Sequence, residues 1–538
     1  MIDHAYLVAN GDQRLSANQT CWPAQQRFEA ALTRAFRDRG VVLRRAHPAD
    51  TAAGHGFIAS QAQGLAVLAA IPPQAPVVVA EGVWQFSQQI LGGLLRHRGP
   101  ILTVANWEGQ WPGLVGLLNI NASLAKAGRP FETLWSRTFT DDWFGSRLDA
   151  WIRGDKIEHD LSHVAPFDPT AVPERARAVA DGITARIRRD GAILGVFDEG
   201  CMGMYNAIIP DELLFPLGVF KERLSQSALY AETMKTDPAE AEAALRWLTG
   251  RGMTFHFGTD ETTELTRDQV LLQLRMYAAA ARIADRFGCA AIGIQYQLGL
   301  ADVLPASDLA EGLLNNADRP PVTGDDGGIV RDGEPIVHFN EADEGAGLDA
   351  LLTNRVHAAL GQPLETTLHD VRWGDDDASG TVDDFVWVFE ISGPAPAAHH
   401  VGGYAGTDSM RQPPLYFRLG GGTVRGVAKP GELVWSRIFI EDGALHMDIG
   451  RASAVALPES ETERRWAETT REWPIMHAVL HGVSRDQFMA RHRSNHIQVS
   501  YADAAAADLV LAAKAATAHQ LGIQVHLCGT RPDRSPLV

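Results

Sequence analysis

Apolar residues recur along the chain in two rhythms. HAYLVAN (residues 4–10) is a short apolar run of the strand type. WPAQQRFEAALTRAFRDRG (22–40) places Phe28, Ala31, Leu32, Ala35 and Phe36 on one helical face and ends on Gly40, a helix-stop signal. VVLRRA, APVVVAEGV and PILTVAN follow as strands with helical stretches between them, the rhythm of a parallel, doubly wound sheet. HVAPFDPTAVPERAR (163–177) carries prolines at 166, 169 and 173 and reads as a linker. The alternation then restarts with AILGVF (192–197), a helix around Ala239–Leu248 before MTFHFG, and TRDQVLLQLRMYAAAARIADRFG (266–288) before CAAIGIQ. After about residue 345 the rhythm changes. A helix (348–360) precedes ETTLHDVRW, DDFVWVFEIS, PPLYFRLGG, TVRGVAK, ELVWSRIFIEDG and ALHMDIGRA, short strands broken by Gly and Pro in an antiparallel pattern. The tail reads as helical again, in WPIMHAVLHG, RDQFMARH and the alanine-rich 502–520. The expected fold is α/β: two Rossmann-like doubly wound domains (1–165 and 166–345), then a β-rich, antiparallel, barrel-like domain (346–538).

Composition narrows the class. The chain has 538 residues, 45% of them hydrophobic and 21% charged, enough for several packed cores without disulfides. Lys and Arg number 48 against 66 Asp and Glu, a net charge of −18. That surface argues against nucleic acid or an anionic membrane as the main partner. Cys21, Cys201, Cys289 and Cys528 lie too far apart for a CxxC motif and do not suggest a disulfide framework. The opening MIDHAYLVANGDQR has neither a basic leader nor a long apolar run, and no 18-residue apolar stretch occurs elsewhere. The expectation is a soluble, cytoplasmic, multidomain enzyme.

Common catalytic signatures are missing: GxxxxGK[ST], HExxH, GxSxG and CxxC. Gly345-Ala-Gly347-Leu-Asp-Ala350 fits a dinucleotide fingerprint loosely, but it follows the acidic run Asn340–Glu344, whose carboxylates would repel a pyrophosphate. Glycines easing a turn into a helix explain it better.

The acidic run itself, IVHFNEADEGAG, sets Glu341, Asp343 and Glu344 between an apolar strand and a helix. Such a cluster is either a solvated helix N-terminus or part of a metal site. LHDVRW (368–373) sets Asp370 inside an apolar strand-like segment, and SNHIQVSYAD (494–503) sets His496 before another. Two carboxylates and an imidazole form a mixed oxygen and nitrogen set suited to Mn²⁺ or Mg²⁺. Spacing alone does not select these three.

Six strings taken together do. CMGMYNAII (201–209), AIGIQYQ (291–297) followed by ASDLAEGLLN, NEADEGAGLDALL (340–352), LHDVRW, VGGYAG (401–406) and SNHIQVSYADAAAADLVLAA (494–513) resemble, in order and spacing, the L-fucose isomerase / L-arabinose isomerase superfamily, and its fucose isomerase branch most closely. WPGLVGLLNINASLAKAG (111–128) extends the resemblance into the first region. The resemblance implies a metal-dependent aldose–ketose isomerase with its site between the second and third domains, and a hexamer or similar homo-oligomer in which a neighbour's first domain closes that site. It implies Glu341, Asp370 and His496 as ligands of Mn²⁺, replaceable by Mg²⁺ or Co²⁺, with Glu341 and Asp370 also handling protons. Gln295 and Tyr404 fall on substrate-contacting positions, and Asn495, beside His496, joins them. IGIQYQLGL and RLGGGTVRGVAKPGELVWSR depart from the fucose isomerase pattern, which leaves the monosaccharide open among L-fucose, D-arabinose, another pentose or hexose, and a 6-deoxy-6-sulfo sugar such as sulfoquinovose.

The chemistry agrees with that class. Moving a proton between C1 and C2 through a cis-enediol takes a carboxylate base, a second proton-handling group and a cation for the enediolate oxygens. A sulfonate would add a need for a fixed cation, and Arg14 in the strand-end loop NGDQR is the first choice over Arg425, Arg437 and Arg493. Trp107 is a loop aromatic suited to core packing or to sugar stacking. His369, next to Asp370, is expected on the opposite strand face. A non-catalytic sugar-binding protein is the rival from another class, and a nicotinamide oxidoreductase a third.

Overall fold

The computed structural model describes residues 1–200 and 202–537; Cys201, one of the four cysteines considered above, lies outside the described residues. The first sheet takes β1 (His4–Val8), β2 (Val42–Arg45), β3 (Val77–Glu81), β4 (Ile101–Asn106) and β5 (Glu132–Ser136), all parallel, in the order β2-β1-β3-β4-β5. Every residue of β3 and β4 is buried, as strands covered by helices on both faces require. The helix expected from residue 22 already begins at Leu15 and runs to Arg37 with Pro23 inside it. Burial of Ala17, Cys21, Ala24 and Phe28 along one face outweighs the lost hydrogen bond at the proline.

The proline-rich segment forms β6 (Val164–Pro166), an edge strand, where a missing amide hydrogen is tolerated. β7 (Ala192–Phe197), β8 (Val219–Leu224), the two-residue β9 (Thr254–Phe255), β10 (Ala291–Ile294) and β11 (Val337–His338) follow. All but β9 form a second parallel sheet, ordered β11-β10-β7-β8.

The third region contributes β12 (Thr367–Asp376), β13 (Phe385–Glu390), β14 (Asp408–Ser409), β15 (Gly431–Glu441), β16 (Ala444–Ala454), β17 (Ile475–Leu480), β18 (His496–Tyr501) and β19 (Gln524–Cys528). Six of them pair in the order β15-β18-β12-β13-β17-β16, and β16 pairs back to β15, so the ring closes. β19 and then β6 extend it from β16. The barrel-like expectation is met at the level of a β-rich sheet beside parallel, helix-flanked sheets. WPIMHAVLHG is a strand (β17) and not a helix: all six of its strand residues are buried, and a short, uniformly apolar run carries no period from which to tell the two apart. RDQFMARH and the alanine-rich tail are helices, Arg485–Arg491 and Ala507–Leu521.

The buried helix Glu344–Leu360 packs against both β11 and β15, and so joins the second sheet to the ring. A Cβ on Gly345 would lie 2.7 Å from the Ile438 carbonyl and one on Gly347 2.7 Å from the Phe339 ring. These glycines serve close packing of the helix start, which accounts for the string that mimics a dinucleotide fingerprint. The remaining cysteines, Cys21, Cys289 and Cys528, are buried and unbridged. Among the described residues no helix is long and apolar enough to cross a membrane.

Candidate active site

Strand pairing brings the first two residues together. β12 and β18 run antiparallel with Asp370 directly opposite His496. On its other side Asp370 lies opposite Glu390 of β13, and a bulge follows between Val371 and Trp373, the kind of irregularity that re-aims neighbouring side chains. Glu341 arrives from the second sheet, one turn beyond β11. It holds a left-handed backbone (φ 57°), as does Ala342 (φ 49°). Each such non-glycine residue costs about 1–3 kcal/mol, a strain that surrounding packing must sustain.

The His496 Nε2 atom faces Glu341 Oε2 at 3.4 Å and Asp370 Oδ1 at 3.5 Å, with a well-formed hydrogen bond to neither. Asp370 Oδ1 also lacks a partner. The other imidazole nitrogen, Nδ1, lies 2.7 Å from Asp343 Oδ2. Arg437 grips the same carboxylate through two hydrogen bonds of 2.7 and 3.0 Å. Asp343 is therefore an acceptor only, His496 must donate to it from Nδ1, and Nε2 is left turned toward Glu341 and Asp370. Asp343 does one thing more: its side chain accepts from the Ala346 amide and caps the central helix.

The charges follow. Burial alone would raise the Asp343 carboxyl, but Arg437 and His496 hold it well below the usual carboxylate range. Burial would lower His496; its hydrogen bond to Asp343 and the nearby carboxylates of Glu341 and Asp343 outweigh that and raise the imidazole to about 10. Burial pushes Asp370 up to about 7, against the pull of His496. His496 thus holds its proton tightly, Asp343 stays ionised and Asp370 lies near neutrality, while Asp370 Oδ1 and His496 Nε2 lack hydrogen-bond partners among the described residues. Among the described residues, no group of three or more His, Cys, Asp or Glu side chains is placed so that it could hold a metal ion.

A pocket opens over this cluster. Glu341, Asp370, Gln295 and Arg14 line it, with Arg372, Ser392, Asp308 and Glu311. Its apolar wall includes Trp84, Met202, Tyr416 and Trp473. Among the described residues, Gln295 Nε2 and Trp84 Nε1 are buried donors without partners. Arg14 enters from the first region of the same chain and grips Asp12 at 2.7 and 2.5 Å. Asn495, expected at the substrate, is buried beside Asp370 and does not line the pocket; its carboxamide lies 3.4 Å from both Asn206 and the Met204 sulfur.

Two expected substrate contacts stand elsewhere. The Tyr404 hydroxyl donates to the Asp318 carbonyl at 2.8 Å beneath Trp247, outside the pocket lining. The Trp107 indole donates to the Gly374 carbonyl at 2.8 Å and packs between Phe385 and Trp387. Both are aromatic anchors between regions of the chain. Trp107→Ala is therefore expected to cost about 3–5 kcal/mol of stability and to leave the KM of the folded fraction unchanged; steady-state kinetics showing a selective rise in KM would restore it as a sugar platform. His369 points away, as strand alternation requires, and burial holds it neutral, near pKa 3. Arg425 is bound to Asp408 and Arg493 to Glu441, leaving neither cation free for a ligand.

No family model and no curated protein matches the chain.

Several pocket residues were not singled out in the sequence. Arg372 had a signal: it stands two residues after Asp370 and shares its strand face. Its guanidinium donates to the Gly109 and Gln110 carbonyls at 2.9 and 3.0 Å, fixing the first region's loop over the site. Tyr416 and Trp473 come from irregular segments and carried none.

Proposed function

We propose that the chain is a divalent-cation-dependent aldose–ketose isomerase acting on a monosaccharide. The observation that carries this reading is the His496 imidazole, locked by Asp343 and Arg437 so that its free nitrogen points at two carboxylates. A histidine oriented by a carboxylate behind it is the usual support of a metal ligand. The donor set fits: two oxygens and one imidazole suit Mn²⁺ or Mg²⁺, and unpartnered buried atoms at Asp370 and His496 want a cation. A cation held there supplies positive charge for the oxygens on C1 and C2.

The chain's own groups do the rest. One carboxylate takes the proton from C2 of the aldose and returns it to C1; the other carries the hydroxyl proton from O2 to O1. Asp370, poised near neutrality, suits either task. Gln295 and Trp84 offer donors to sugar hydroxyls, and the aromatic wall excludes water. The pocket favours a neutral sugar. Its two guanidiniums are committed, Arg14 to Asp12 and Arg372 to backbone carbonyls, while four carboxylates line the walls. A 6-deoxy-6-sulfo sugar remains the second reading because Arg14 does stand in the lining. Under it, Arg14→Ala raises KM for the sulfonated sugar far more than for its neutral analogue; equal effects on both exclude it.

The deciding experiment is a screen of aldoses and ketoses with Mn²⁺ added, before and after exhaustive chelation. Interconversion that disappears on chelation and returns with metal is expected. Full turnover in protein shown metal-free by elemental analysis ends the proposal, and sugar binding without turnover favours a non-catalytic sugar-binding protein. Run in D₂O, the reaction is expected to place deuterium at C2 of the aldose or C1 of the ketose; a deuterium-free product over many turnovers points to hydride shift instead.

Proton competition gives a further check. A ligand must displace the His496 proton, so cation affinity should rise about tenfold per pH unit between pH 7 and 9. Calorimetry in buffers of different ionisation heat reads the released proton directly, and pH-independent affinity would remove His496 from the ligand set. The metal-free fold responds oppositely. His496 binds its proton more tightly folded, at about 10, than at its ordinary value of 6.5, so its contribution is complete below pH 6.5 and fades as pH rises toward 10.

A further inference from the structure

The opposite end of the second sheet carries a cavity of about 520 Å³, larger than a buried packing defect. It is lined where strands begin: by Ala192 at the start of β7, by Cys289 and Ala290 just before β10, and by Pro335 and Val337 at the start of β11. Two arginines, Arg331 and Arg355, stand in its wall. Both are half-buried, and burial holds both guanidiniums below their usual range; Asp285 near Arg331 and Glu334 near Arg355 offset it only in part, and among the described residues neither arginine hydrogen-bonds a carboxylate. Arg331 donates to the Cys289 carbonyl from a left-handed backbone (φ 45°) that keeps it turned inward. Of the two acids in the lining, Asp190 is gripped by its neighbour Arg189, leaving Glu334 against two cations.

A half-buried guanidinium that no carboxylate hydrogen-bonds is costly, and two in one wall are a place for an anion. We propose that this cavity binds a phosphate group, through Arg331 and Arg355. The planar fork of each guanidinium matches two phosphate oxygens, and the cavity has room for more than the phosphate itself. The site lies at the other end of strands that serve the pocket: β10 starts here and runs into Gln295, and β11 starts here and leads to Glu341. The proposal does not depend on the isomerase reading, because it is tested by binding alone.

The test is calorimetric titration of the full chain with inorganic phosphate, and with a hexose 6-phosphate, against chloride at equal ionic strength. Saturable phosphate binding in the millimolar range or tighter is expected. Arg355→Gln, which breaks no hydrogen bond to a carboxylate, should weaken it at least about tenfold; Arg331→Gln should do the same, with thermal melts to confirm folding. Tighter binding of the hexose 6-phosphate, lost in the same variants, identifies a phosphate ester as the ligand; equal binding identifies free phosphate. No saturable binding of either probe, or binding unchanged by Arg355→Gln, overturns the proposal. A chain that binds neither probe but whose self-association weakens in Arg355→Gln assigns the cavity to a second copy of the chain, which overturns it too.

Discussion

Glu341→Gln should lower turnover by at least about a hundredfold while leaving the protein folded. The substitution keeps the shape of the side chain and its left-handed backbone, so local strain is unchanged. What it removes is a negative charge 3.4 Å from His496 Nε2 and an acceptor for a substrate proton. Both losses act on the reaction: the amide neither takes up a carbon-bound proton nor balances a cation. Thermal melts should stay near wild type, and a turnover assay with excess Mn²⁺ reads the effect. A folded variant with near wild-type turnover would move the base to another carboxylate, Asp370 being the first alternative.

Asp343→Ala should be the most destabilising single change at the site. It strips the buried Arg437 of the carboxylate that pairs with it, a loss of about 3–5 kcal/mol for a broken buried pair. It also removes the cap of the central helix, about 1 kcal/mol more. Metal affinity should fall about 10–100-fold as His496 loses the group that orients it. Pairing the change with Arg437→Met separates the two effects. An apolar side chain in place of the stranded cation should recover much of the stability but none of the metal affinity. If the double variant binds metal like wild type, Asp343 supports the fold only and has no part in aiming His496.

Much of this was readable in the chain, for identifiable reasons. The α/β rhythm showed because parallel strands such as β3 and β4 are buried on both faces and read as unbroken apolar runs. Glu341, Asp370 and His496 each border or interrupt an apolar run, but so do many other charges, and only the resemblance carried by the surrounding strings singled out these three. Asp343 sat in the same acidic run, but nothing in one dimension tells which of several neighbouring carboxylates faces a histidine 153 residues away. Tyr404 and Trp107 were misplaced for the converse reason. An aromatic with a polar tip looks alike whether that tip meets a sugar or a backbone carbonyl. The strand in WPIMHAVLHG stayed hidden because both of its faces are buried.

The closed ring of six strands has a bearing on the chemistry beyond shape. In an open sheet, one strand can slide along its neighbour by a residue at modest cost, and every side chain then changes face. Such a slip of β12 would turn His369 toward His496 and bury Asp370 among apolar groups, erasing the site while leaving the secondary structure intact. Closure forbids it, since a shift at one seam must be matched at all six. The ring acts as an error check on alignment, and length changes far around it, as in the turn between β15 and β16, should be felt at Asp370 before they are felt in the melting temperature.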